Sequence, residues 1–240
     1  PPGEALVAVT PRPQSRGRGR GRGQATLDLP HLDAGVVVRG RVRREPGAVH
    51  ATVRGRAYRI SAGVFWQAHV GAAEALLGAV LDAAGDHAGP GQGVVDLYAG
   101  AGLFSVPLAA AVGSSGSVLA VERDARACAD ARHNAAGLDN LHVEQTEVTP
   151  ELVASGLGRP ALVVLDPSRE GAGTGVMQAL AAHGATLQRI VYVSCDPASF
   201  ARDLRALLDL GWQLESLRAF DIFPMTEHVE LVAAIDPPPG

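Results

Sequence analysis

Residues 93–105 read GVVDLYAGAGLFS, and this stretch decides the fold. Gly93–Tyr98 is a short, nearly continuous apolar run of the kind that fills a strand buried on both faces. It leads into Gly100 and Gly102, and a helix is expected from Leu103. Glycines at a strand-to-helix turn let the backbone approach a ligand closely. The spacing is not that of a dinucleotide fingerprint, because the third glycine would fall at position 105, which is Ser105. Asp96, four residues before Gly100, suits a ligand with a cationic amino-acid group better than a pyrophosphate.

Outward from this turn, strands alternate with helices. Val70–Ala84 carries apolar residues at helical spacing ahead of it. Behind it come strands at Val118–Glu122, Leu141–Glu144, Ala161–Asp166 and Arg189–Ser194. Helices are expected over 124–137, near Thr174–Ala182 and near Ala198–Leu210. Such repetition predicts an α/β protein with a mostly parallel, doubly wound, Rossmann-like sheet. The last two strands, Gln213–Phe220 and His228–Ile235, have no helix between them and read as an antiparallel hairpin. In front, Ala5–Thr10, Val36–Val42, Ala48–Val53 and Arg56–Ser61 read as short strands. Residues 1–60 are therefore expected to be a small β-rich segment preceding a larger domain over 61–240.

Ligands of open α/β sheets bind outside the carboxyl ends of the strands. Three acids fall there. Asp96 ends the first strand of the alternating series. Glu122 ends the second, twenty residues after Gly102, where a carboxylate can accept two ribose hydroxyls. Glu147, just past the third, is placed to reach an adenine amino group.

The charge is uneven. Residues 1–60 hold 12 Arg against 4 acids, and residues 61–240 hold 9 Arg against 21 acids, with no lysine anywhere. An arginine-rich end on an acidic body predicts a polyanionic partner, and guanidinium forks suit phosphate. The tract Arg16–Gly23, RGRGRGRG, cannot build a core and reads as a mobile loop, either RNA-binding material or a plain solvated loop. Two cysteines, Cys128 and Cys195, are too few for a disulfide framework, an all-cysteine zinc site or an iron–sulfur site, and no metal is expected. No apolar run approaches the roughly 18 residues of a membrane span. The chain starts at Pro1 without a signal-peptide pattern and reads as a cytoplasmic protein lacking an N-terminal portion. Nothing in the sequence speaks to oligomeric state.

Three more segments sit at strand ends on the same edge: Asp166-Pro167-Ser168-Arg169, Ser194-Cys195-Asp196-Pro197 followed by Ala201-Arg202-Asp203, and Phe223-Pro224-Met225-Thr226-Glu227-His228-Val229-Glu230, whose last residue lies 35 after Cys195. With Phe65-Trp66-Gln67, Asp96–Gly102 and Asn134, these segments make residues 61–235 closely resemble the uridine-C5 RNA methyltransferases that act on tRNA and ribosomal RNA. The resemblance implies an S-adenosylmethionine-dependent enzyme with RNA as partner. It makes Cys195 the nucleophile and Glu230 the base. It assigns Gln67, Tyr98, Glu122 and Asp166 to contacts with cofactor or target base, beside Asp96, Gly100, Gly102 and Glu147. Phe65 and Arg169, with Asp166, would meet the substrate.

Departures from the family pattern are Ser168 for a proline, Leu103 where relatives carry Asn, and Asp196 beside the nucleophile, which would raise its pKa. The helix start after Pro197 would act the other way. The N-terminal RNA-binding barrel and the iron–sulfur cysteines of some relatives are not visible. A cytosine-C5 methyltransferase places its cysteine and acid differently, and a catalytically impaired RNA-binding relative would not need Cys195 and Glu230.

Overall fold

The computed structural model describes residues 5–9, 34–38, 41–44, 47–223, 226 and 228–239. The Arg16–Gly23 tract lies outside the described residues, as do Pro224, Met225 and Glu227 of the last motif. Strands β1 (Ala5–Val9), β2 (Ala34–Val38) and β3 (Arg41–Arg44) form a small sheet, β1 parallel to β2 and β2 antiparallel to β3. One strand was expected over Val36–Val42. Instead Val38 pairs with Arg41, and β2 and β3 are two separate antiparallel strands.

A hairpin of β4 (Ala48–Val53) and β5 (Arg56–Ser61) follows. Alternation along it points Val53, Tyr58 and Ile60 inward, where they join the core beneath helix α1 (Ala72–Ala84). Full burial of such side chains is worth roughly 1.5–3 kcal/mol each. The hairpin is thus welded to the larger body.

That body is a seven-stranded sheet. Its strands in chain order are β6 (Gly93–Leu97), β7 (Ser117–Glu122), β8 (Leu141–Gln145), β9 (Leu162–Leu165), β10 (Arg189–Ser194), β11 (Gln213–Phe220) and β12 (Glu230–Asp236). In space the order is β11-β12-β10-β9-β6-β7-β8. Strands β8, β7, β6, β9 and β10 are mutually parallel, and β12 runs antiparallel to both β10 and β11. The expected terminal hairpin is there, with its second strand inserted between β10 and β11.

Period-two alternation splits the sheet into two cores. Leu162, Val164, Val191 and Val193 face one cluster with α1 and α2 (Ser105–Val112). Val163, Leu165, Ile190 and Tyr192 face the other, with α4 (Pro150–Gly156), α5 (Thr174–Ala181) and α6 (Pro197–Leu208). Helix α3 (Ala125–Asn134) follows β7 and ends three residues before the expected limit of 137, with Gly137 in the left-handed region. Helix α4 had no counterpart in the sequence reading. Both glycines of the β6–α2 turn and the loops after β9 and β10 lie at the carboxyl edge of the sheet, and the site is built there.

Candidate active site

The β6–α2 turn is strained and close-packed. Tyr98 takes a left-handed φ of 63°, unusual for a bulky residue, and Gly100 and Gly102 follow at 55° and 88°. A Cβ on Gly102 would lie 3.3 Å from Val106 and 3.5 Å from Ala131, whereas one on Gly100 would meet nothing within 4 Å. Gly102 therefore seats the turn against α3, and Gly100 leaves open space at the edge. The turn is held from behind by Asn134, whose Nδ2 donates to the carbonyls of Ala101 (2.9 Å) and Arg59 (3.0 Å) while its Oδ1 accepts from the Arg59 amide (2.8 Å). Asn134, one of the residues carrying the family resemblance, acts here as a tie between hairpin and turn.

Asp96 is fully buried at the end of β6. Its Oδ2 accepts from the Ser105 hydroxyl, but Oδ1 has no hydrogen-bond partner among the described residues. Burial pushes its pKa up to about 7 despite the Ser105 bonds, and the Glu122 charge adds to the rise. A buried acid with an orphan oxygen beside an open glycine fits a cationic group, which would stabilise its ionised form. Glu122 bridges the turn, accepting from the Gly100 amide at 3.0 Å and the Asp124 amide at 2.8 Å. Glu147 is exposed, within electrostatic reach of half-buried Tyr98, whose pKa is pushed up to about 12 mainly by burial, with Asp203 and Glu147 adding. Asp166 and Gln67 are half-buried.

Across the edge the second cluster gathers. Cys195 sits half-buried between the end of β10 and the start of α6. Glu230 opens β12, almost fully buried, and the insertion of β12 beside β10 is what brings it there. Burial lifts Glu230 to about 7. Asp166, after β9, rises well above the usual carboxylate range through burial and then the charges of Glu230 and Asp96. Cys195 is raised by burial, then by Glu230 and Asp166, with Arg169 pulling the other way. Cys195, Glu230, Asp166 and Arg169 thus feel one another's charges.

Two expectations about the thiol need correction. Asp196 is not a cause of its rise, because its carboxylate turns into α6 and caps it, accepting from the Ser199 amide at 2.7 Å. Nor does the helix start yield a depressed thiol pKa, since burial and two acids outweigh it. Phe65 is 72% exposed and available for stacking, whereas the Trp66 ring lies against Tyr58 at 5.5 Å. His228 packs edge-on to Phe223, consistent with a structural role. Cys128 is buried and donates to the Glu122 carbonyl, as a lone core thiol would.

Two buried acids have roles that the sequence did not reveal, Asp203 having been noted only as part of the segment after Cys195. Asp130 on α3 accepts from Ser61 through both its amide (2.6 Å) and hydroxyl (2.8 Å) and pairs with Arg59 at 3.1 Å. Asp203 on α6 is equally saturated. Both occupy the buried stripes of their helices, where an apolar residue belongs, and that misplacement is a readable signal. A cavity of about 210 Å³ lined by Gly93, Ser117, His142 and Arg159 lies at the opposite, amino-terminal edge of the sheet, away from these residues. No described helix is long and apolar enough to cross a membrane.

Residues 160–235 match the family model described as tRNA (Uracil-5-)-methyltransferase. A Streptomyces avermitilis protein named an uncharacterized RNA methyltransferase is 44% identical over 222 residues, which is 89% of this chain and 50% of that protein. The Psychrobacter arcticus 23S rRNA (uracil(1939)-C(5))-methyltransferase RlmD is 40% identical over 153 residues, 61% of this chain and 29% of its own. The chain spans about half the length of the Streptomyces relatives it matches. Among solved structures, P. horikoshii TYW2 in complex with MeSAdo shares the fold with a TM-score of 0.59 at 14% identity, over 84% of this chain and 76% of that one. The architecture is Rossmann-like, and the chain is similar to uridine-C5 RNA methyltransferases, most directly over residues 160–235.

Proposed function

We propose that this protein is an S-adenosylmethionine-dependent enzyme that methylates C5 of a uridine in tRNA or ribosomal RNA, acting in the cytoplasm. The observation that carries the reading is the convergence of Cys195, Glu230 and Asp166 on one sheet edge, beside a glycine turn backed by an under-coordinated buried acid. The methyl donor supplies an electrophilic sulfonium methyl. Asp96 with the Gly100–Gly102 turn would hold its cationic end, Glu122 and Glu147 its ribose and adenine, and Gln67 and Tyr98 would line it.

Uridine C5 is a weak nucleophile. Cys195, as thiolate, forms a bond to C6, and the ring electrons shift to make C5 nucleophilic. C5 then takes the methyl while still carrying its proton. Glu230 accepts that proton, the C5–C6 double bond reforms, and the C6–sulfur bond breaks to return the thiolate. With a pKa near 7, Glu230 is poised to move a proton in either direction at neutral pH. Asp166, raised above the usual carboxylate range by burial and by the charges of Glu230 and Asp96, hydrogen-bonds the uracil edge. Arg169 favours the thiolate and meets the substrate backbone. Phe65 offers a face to a base that has left its stack. Residues 61–240 form the methyl-transfer domain, and the arginine-rich segment 1–60 meets the RNA phosphates.

The test is a covalent trap. Total RNA substituted with 5-fluorouridine, incubated with the protein and S-adenosylmethionine, should yield an RNA-linked band on a denaturing gel, since fluorine blocks the final proton removal. Cys195→Ala should lose the band and methyl transfer by on the order of 10⁴-fold or more while retaining cofactor binding. Methylation by Cys195→Ala would sink the assignment.

A further inference from the structure

We propose that Asp203 is a positioning residue for this reaction: it clamps the loop that carries Asp166 and Arg169 to the helix that begins beside Cys195. The inference rests on the reading of Cys195 as nucleophile. Asp203 is fully buried in the middle of α6. Its Oδ2 accepts from the amides of Ala172 (2.8 Å) and Gly173 (3.0 Å) and from the Tyr192 hydroxyl (2.8 Å). Its Oδ1 faces the Arg202 guanidinium at 2.8 Å, and Arg202 Nη2 reaches on to the Glu170 carbonyl at 2.7 Å. One carboxylate therefore joins three segments: the loop after β9, strand β10 just before Cys195, and α6 just after it.

The fit is close. Gly171 has a φ of 76°, and a Cβ there would lie 2.6 Å from both Asp203 Oδ2 and Arg202 Nη2. Helix α6 does not need this acid to pack, since Phe200 and Leu207 already bury into the sheet. An apolar residue at 203 would serve packing better, so the saturated carboxylate is explained by the loop it holds. That loop is fixed at its other end by the Asp166 amide donating to the Leu97 carbonyl at 3.3 Å. Arg169, the cation that acts on the thiol, lies between the two anchors. Loosening the clamp frees Arg169 first and leaves Asp166 in place.

The experiment compares wild type with Asp203→Asn and Arg202→Met. Adduct formation with 5-fluorouridine RNA is timed, S-adenosylmethionine affinity is measured by calorimetry, and alkylation of Cys195 by iodoacetamide is followed across pH by mass spectrometry, with buried Cys128 as reference. Asp203→Asn should slow adduct formation by about tenfold or more, move the alkylation midpoint upward, and leave cofactor affinity within about threefold. Arg202→Met, at a half-exposed side chain, keeps the test alive where Asp203→Asn fails to fold, with an expected slowing of about threefold. Wild-type adduct rates and an unmoved midpoint in a folded variant overturn the proposal. If wild type itself forms no adduct, the functional reading fails and the midpoint alone judges the clamp, for it if moved and against it if not.

Discussion

Four buried or nearly buried acids divide into two kinds. Asp130 and Asp203, on the flanking helices, are saturated: backbone amides, hydroxyls and an arginine account for their oxygens. Asp96, at the carboxyl edge of the sheet, is not: its Oδ1 has no partner among the described residues, and burial lifts both it and its edge neighbour Glu230 to about 7. A buried charge with full hydrogen bonding is a rigid joint. A buried acid that the protein itself leaves under-satisfied is a demand for something from outside, a cation or a proton. The two kinds should fail differently when altered, one through chemistry and the other through stability.

The largest effect is expected at Glu230. Glu230→Gln should let the thiol add and the methyl transfer, yet lower turnover by on the order of 10²–10⁴-fold, with protein–RNA adduct accumulating on natural RNA. Normal turnover without adduct would place Glu230 among the joints. Next comes Asp96. Asp96→Asn should weaken S-adenosylmethionine binding by roughly 10–100-fold in calorimetry, the loss of one charge-assisted contact. Both acids also make a pH signature. Their folded pKa values exceed their unfolded ones, so they favour the folded state at low pH, and that contribution is lost as pH rises through about 7. The melting temperature of the cofactor-free protein should fall by several degrees between about pH 5 and about pH 8, and Asp96→Asn should flatten part of that fall. A curve that rises over this window would contradict the account of both residues. The smallest effect on chemistry is expected at Asp130. Asp130→Asn should cost about 1–3 kcal/mol, seen as a lower melting temperature, with methyl transfer within about threefold of wild type below the transition.

The edge residues were legible in the sequence and the joints were not, for a physical reason. Asp96, Glu122 and Cys195 lie where apolar runs stop at a glycine, a proline or a charge, whereas Glu230 opens its strand and was reached through the family resemblance. The buried strands that divide the two cores were equally plain, as apolar runs at Leu162–Leu165 and within Arg189–Ser194. Asp130 and Asp203 have partners 69 and 30 or 31 residues away, and no local pattern specifies such pairs. Helix α4 escaped notice because it is a seven-residue piece ending in glycine, although Thr149 capping Leu152, with Pro150 at its first position, is a start signal that was there to read. The direction of the thiol shift was out of reach too, because it depends on how deeply β12 buries Glu230 beside β10.

That insertion has a consequence for synthesis. Strand β12 enters a slot between β10 and β11, both of which leave the ribosome before it. Until it does, β10 has an open edge and Glu230 is not yet beside Cys195. A nascent chain can complete its glycine turn before Glu230 stands beside Cys195, so the two halves of the edge are joined only when β12 seats between β10 and β11.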